Sequence, residues 1–298
     1  MKSNQGLLQI SAHRRALTLV ELLVVCVIVV ILAGLTLFAV GSVAHSAKVS
    51  KTRSTIQKLD TALRQIIEAY EDKFIDIKSK ITEEFPKLPS ETEAEARERQ
   101  AAIAAHYIRD IMRMEMPQNA AEYLSDPLEI EFKGTLYRAV EESPLLNYYR
   151  KSNFSQTKNP SAALLFLIIQ NMSPETLEAF HGSEVTDTDG DGLLEFVDAW
   201  GNPIRFLRWA PAFSDSYIQK EEFRFPDPAD ERVSAAGWFL YPLIYSAGAD
   251  GKYGIEDAPQ PLKIGEDGVL NPYSSSLGKP LNSSHFDNIH NHQWYRSF

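Results

Sequence analysis

Leu17-Thr18-Leu19-Val20-Glu21-Leu22-Leu23-Val24-Val25-Cys26-Val27-Ile28-Val29-Val30-Ile31-Leu32 opens an apolar run that meets no further charged side chain until Lys48. Arg14 and Arg15 stand just ahead of it. A run on the order of 20 residues or more suits a helix that crosses a bilayer. A secretory signal has a shorter apolar core, about 7–15 residues. Glu21 is the odd residue, because an unpaired carboxylate in hydrocarbon is costly and needs a reason to be there. An ordinary signal anchor is the competing reading, and it leaves Glu21 without a role. The basic residues do not orient the segment, since Arg14 and Arg15 on one side are matched by Lys48, Lys51 and Arg53 on the other.

The helical pattern continues beyond this run. Ile56, Leu59, Leu63, Ile66, Tyr70, Phe74, Ile77 and Ile81 recur at intervals of three and four, which marks one apolar face of a helix. Lys58, Asp60, Arg64 and Glu71 fill the opposite face, and neither proline nor glycine interrupts 42–85. The spacing predicts one helix over 17–83, apolar all round in 17–45 and amphipathic over 46–83. A coiled-coil stalk is the alternative for the second part. Pro86 and Pro89 end the helix. Ser90 with Glu93 then reads as a capping box that opens a second helix, closed by Pro117. Met114 and Met116 read as core or rim. Pro160 starts a strongly apolar segment, 162–169, expected to be a buried helix, and Ser173-Pro174-Glu175 caps a short one. Residues 204–209 alternate with period two and predict a strand. Residues 238–245 predict a second, with Pro242 marking an edge or a bulge. The stretch 271–298, rich in Ser, Asn, Pro and His, reads as a flexible tail.

The net charge is −10, and residues 1–16 hold Lys2, Arg14 and Arg15 but no acid, so the acidic excess lies wholly in the remainder. An acidic body argues against a broad nucleic-acid surface, and no nucleic-acid partner is expected. Cys26 is the only cysteine, so no intramolecular disulfide forms.

The sharpest local motif is Asp187-Thr188-Asp189-Gly190-Asp191-Gly192-Leu193-Leu194-Glu195-Phe196-Val197-Asp198. Acids stand at its first, third, fifth, ninth and twelfth places and glycine at the sixth, the ligand spacing of an EF-hand-type calcium loop. Asp187, Asp189 and Asp191 are expected to offer side-chain oxygens, Leu193 its carbonyl and Asp198 the closing carboxylate. A solvated acidic turn is the alternative. Asp198-Ala199-Trp200-Gly201-Asn202-Pro203 and Ser246-Ala247-Gly248-Ala249-Asp250-Gly251, followed by Glu256-Asp257, each read as a turn beside a strand. His285, His290 and His292 allow a zinc site, but a solvated tail is the simpler reading. No phosphate loop, zinc-hydrolase helix, nucleophile elbow or dinucleotide fingerprint occurs, and scattered Ser, His and Asp residues make no triad.

The segment from Arg14 through Glu21 resembles the processing and assembly signature of type IV pilins and type II secretion pseudopilins. The Asp198–Pro203 turn and the Ser246–Asp257 stretch resemble the major pseudopilin of the type II system. The resemblance covers 14–70 and 198–257 and leaves out 83–185. It implies a cut between Ala16 and Leu17 by a prepilin peptidase and N-methyltransferase, a methylated Leu17 amine, and Glu21 as the acid that docks each subunit into a filament. It also implies calcium at Asp250 and Asp257, with Ser246 and Glu256 as further candidate ligands, and a single-pass inner-membrane protein with a cytoplasmic N-terminus and an extracytoplasmic head. Its partners would be other pseudopilins, the inner-membrane assembly platform and the membrane. Ala16 and Leu17 stand where the family has Gly and Phe, and the family's helix proline is absent.

Together these readings predict an α+β fold. A long N-terminal helix, transmembrane in its first half, packs on a head with a helical insertion and a small antiparallel β-sheet with calcium loops. The segments are a leader (1–16), an assembly helix (17–45), its amphipathic continuation (46–83), a helix-rich insertion (84–185), a β and calcium-loop region (186–270) and a tail (271–298). The expected role is that of a non-enzymatic pseudopilin. The alternatives are a tip subunit whose insertion binds a ligand, a surface or DNA, and an anchored domain that does not polymerise.

Overall fold

The unbroken spacing of three and four becomes α1 (Leu19–Glu84), a helix of 66 residues. The computed structural model describes residues 18–152, 154, 157–232, 237–261 and 263–293, and the side chains of 35–40 lie outside that description. Two units divide the chain, Met1–Ala47 and Lys48–Phe298.

In the first unit, the described part of α1 exposes its large apolar side chains, from 48% for Val24 to 80% for Leu19. The expectation that 17–45 spans a bilayer is corrected here. Among the described residues no helix is long and apolar enough to cross a membrane. From Gly41 the helix goes on through Ser42, His45, Ser46 and Lys48. The transmembrane half of the expected fold and the single-pass inner-membrane placement are therefore not supported.

In the second unit, α1 buries Ile56, Leu59, Leu63, Ile66, Tyr70, Phe74 and Ile81, the face that the spacing marks. α2 (Glu93–Glu115) opens with a capping box of Thr92 and Glu95, two residues beyond Ser90 and Glu93. Glu93, the expected partner of Ser90, instead pairs with Lys87 at 3.3 Å. α3 (Ala120–Leu124) follows, then β1 (Ile130–Phe132) and β2 (Thr135–Tyr137). They pair antiparallel through a two-residue turn in which Lys133 and Gly134 both have positive φ, 50° and 78°. α4 (Pro144–Lys151) leads to α5 (Pro160–Met172), whose eight residues from Ala162 to Ile169 are all buried.

β3 (Val185–Thr186) and β4 (Glu195–Phe196) form a second hairpin. β5 (Arg205–Leu207), β6 (Leu243–Ser246) and β7 (Ile289–His290) form a three-stranded antiparallel sheet in that order. The strand expected over 238–245 is shorter, Leu243–Ser246, and is central, with Pro242 just outside it rather than at an edge.

Residues 84–185 pack into the head: Ile103, Ile108, Met114, Leu164 and Leu165 share one core with Ile56, Leu59, Phe206 and Ile244. One further expectation changes. The predicted flexible tail, as far as it is described, is built into the sheet. Asn291 donates to Asp60 Oδ1 and to the Pro242 carbonyl, and its own carbonyl accepts from Ile244 N–H, at 2.7 to 2.9 Å. Side chains that read as solvated coil there complete a strand edge. His290 and His292 are buried, and burial pushes their pKa values down to about 3 and about 4.

Candidate functional site

Ala16 and Leu17 lie outside the described residues. Glu21 is described, and it closes a capping box at the start of α1. The Thr18 amide and hydroxyl donate to Glu21 Oε2 at 2.8 and 2.9 Å, and the Glu21 amide donates back to the Thr18 hydroxyl at 3.2 Å. A helix start leaves amides without partners, and Thr-x-x-Glu satisfies two of them. The acid singled out for docking therefore also has a local structural task.

The loop between β3 and β4 carries the three acids expected there. Asp187, Asp189 and Asp191 each offer a carboxylate oxygen, and these atoms lie within 4.8 Å of one another. Asp187 accepts from the amides of Gly190, Asp191 and Gly192, which folds the loop tightly, and the Gly192 bond chiefly holds its carboxyl below the usual range. Asp191 Oδ1 accepts from Leu193 N–H. Asp189 Oδ2 accepts from Lys158 N–H at 2.7 Å and from the Thr157 hydroxyl at 3.3 Å, in the segment that enters α5. The other oxygens, Asp189 Oδ1 and Asp191 Oδ2, are buried without a hydrogen-bond partner.

Glu195 is the residue the sequence reading passed over, although it was noted as the acid at the ninth place. Its side chain is fully buried on β4. Oε2 accepts from Thr188 N–H at 2.9 Å, and Oε1 is a third orphaned oxygen. Burial, aided by Asp189 and Asp191, raises its carboxyl above the usual range. Glu184, just ahead of β3, fastens the hairpin to α1 through Thr55 and Lys58. Burial works against its charge, yet bonds from His181, Thr55 and Lys58 hold its pKa down.

Asp198 faces a different task from the closing ligand expected of it. Oδ1 accepts from the amides of Trp200 and Asn202, and Oδ2 accepts from Asn202 Nδ2 and the Ser246 hydroxyl at 2.7 Å. It ties the 198–203 turn to the end of β6. Ala199 N–H donates to the buried Thr52 hydroxyl, so the turn also rests on α1.

The 246–257 acids are also occupied. Asp257 Oδ2 accepts from Arg205 Nη1 at 2.6 Å and from the Tyr245 hydroxyl at 2.8 Å. Asp250 accepts from Lys252 N–H, and its own amide donates to Asp287. Glu256 accepts from Ala258 N–H. Among the described residues only Asp187, Asp189 and Asp191 converge as a metal-ready group. Compared with protein-family models, with curated proteins and with solved structures, the chain matches none.

Proposed function

We propose that the chain is a structural subunit of a pilin-like filament, cut between Ala16 and Leu17 and assembled through the first part of α1. One observation carries this reading: the large apolar side chains from Leu19 to Leu32 are each 48% or more exposed, whereas the helix beyond residue 48 buries its apolar stripe in its own head. A continuous apolar surface of that extent is unfavourable in water and calls for cover. Copies of the same helix, packed side by side, would supply it. The Arg14–Glu21 signature supports the same reading. In such an array Glu21 would neutralise the Leu17 amine of a neighbour, which offsets the cost of placing both among apolar groups.

The test is Glu21→Ala, expressed with the cognate peptidase. N-terminal peptide mass spectrometry should still find a chain that starts at methylated Leu17, while sheared filaments should lack the variant. An uncut wild-type chain, or filaments that contain the variant normally, would overturn the reading.

A second reading, a tip subunit that takes a ligand, is favoured by an open groove of about 380 Å³. Ile67 and Phe74 of α1, Met112 of α2, Trp209 and Tyr273 line it. Labelled antibody found only at filament ends would favour this role over the filament body.

A further inference from the structure

We propose that the β3–β4 hairpin loop is a calcium site in which Asp187, Asp189 and Asp191 converge on the ion and the buried Glu195, rather than Asp198, is the fourth acid beside them. The proposal is independent of filament assembly. Three carboxylate oxygens of one hairpin, Asp189 Oδ1 and Asp191 Oδ2 in its loop and Glu195 Oε1 on β4, are shielded from solvent and have no hydrogen-bond partner. Buried carboxylates without a counter-charge are strongly disfavoured. Among the described residues, no Lys, Arg or His forms an ion pair with any of the four acids. Glu195 is the independent pointer. It lies on the strand rather than in the acidic run, it is 0% exposed, its Oε2 accepts from Thr188 N–H of the loop, and its Oε1 has no partner.

The chemistry selects the ion. All donors are hard oxygens, which exclude the thiolate and imidazole preferences of zinc and copper. Oxygens bound to one calcium at 2.3–2.6 Å stand at most about 5 Å apart, and the three aspartate oxygens fall within 4.8 Å. Magnesium keeps most of its waters and seldom takes four carboxylates. Asp198 is excluded as a ligand by its four bonds within the 198–203 turn and to Ser246. An ion here would also steady the entry to α5, because Asp189 Oδ2 already holds Lys158 and Thr157.

The full-length chain, stripped with chelator, is titrated with calcium chloride by calorimetry and melted in calcium, in magnesium and in chelator. We expect one calcium-dependent event and a rise in Tm of about 5 °C or more at saturation. Magnesium at the same concentration should give less than half that rise. Glu195→Gln and Asp189→Asn should each weaken calcium binding at least about 10-fold, with unchanged circular dichroism. Glu195→Gln in chelator should melt no lower than wild type, because it removes an uncompensated buried charge. Asp257→Asn should bind calcium as wild type does. Absence of heat and of a Tm shift in the wild-type chain would overturn the proposal whatever the variants do. So would an equal magnesium response, or binding that survives both loop variants.

Discussion

Arg208, just past β5, and Glu122 on α3 meet inside the core as a two-pronged ion pair, Nη1 to Oε2 at 2.8 Å and Nη2 to Oε1 at 2.9 Å. Both are essentially inaccessible to solvent. Arg208 also donates to the Met116 carbonyl and Arg113 to the Glu122 carbonyl, each at 2.6 Å. The pair joins the helical region 84–185 to the sheet. Arg208→Ala strands a buried carboxylate and should destabilise the head by about 3–5 kcal/mol in denaturant unfolding. Arg208→Met combined with Glu122→Met should cost less than Arg208→Ala alone. A loss below about 1 kcal/mol for Arg208→Ala would show that the pair does not couple the two regions.

The two buried histidines make the fold acid-sensitive. Their folded pKa values, about 3 for His290 and about 4 for His292, lie below the about 6.5 of an unfolded histidine. As pH falls below about 6.5, the unfolded chain takes up protons that the folded chain refuses. The stability they confer is present above that pH and is lost toward pH 4 and 3. Each should contribute a loss of roughly 2 kcal/mol between pH 7.5 and 5. His290→Gln should remove close to half of the combined loss, measured by urea unfolding at the two pH values.

Glu21 has two tasks that a pair of variants separates. Thr18→Val deletes the capping partner of Glu21 but leaves the carboxylate in place. If docking is the main task, filaments should form with Thr18→Val and fail with Glu21→Ala. Equal defects in a filament-shearing assay would mean that Glu21 serves only to start the helix.

Gly248 is a backbone requirement of the sheet edge. Its φ is +64°, and a Cβ there would stand 2.3 Å from the Asp287 carbonyl oxygen. Gly248→Ala should cost at least about 2 kcal/mol through left-handed strain and the clash. It should also loosen 282–293, read as faster hydrogen exchange in those peptides. Unchanged exchange would contradict the packing of this turn on the C-terminal segment.

Residues that interact with near neighbours declared themselves. The buried stripe of α1 from Ile56 to Ile81 repeats every helical turn, so its burial follows from periodicity. The aspartates at 187, 189 and 191 converge because two glycines let a short loop fold on itself, and that too is local. Where two local patterns compete for one residue, spacing fails. Asp198 occupies the twelfth place of a calcium loop and the first of a Trp-Gly-Asn-Pro turn, and the turn wins because its amides lie only two and four residues away. Glu195 became more than a surface acid once β4 placed it against the core.

The remaining differences come from partners far apart in the chain. Nothing near Glu122 announces Arg208, 86 residues on, and nothing in a Ser- and Asn-rich tail announces that Asn291 will satisfy Asp60, 231 residues back. Polar composition implies solvent only when no backbone edge offers the same hydrogen bonds. In this chain β6 offers them, and the C-terminal segment is drawn in as its third strand. Helix and loop grammar was therefore legible residue by residue. The merging of 84–185 with the sheet, the ordering of 271–293 and the burial of the Arg109–Asp230 and Arg208–Glu122 pairs arise from long-range packing, where desolvated charges must find partners wherever the fold puts them.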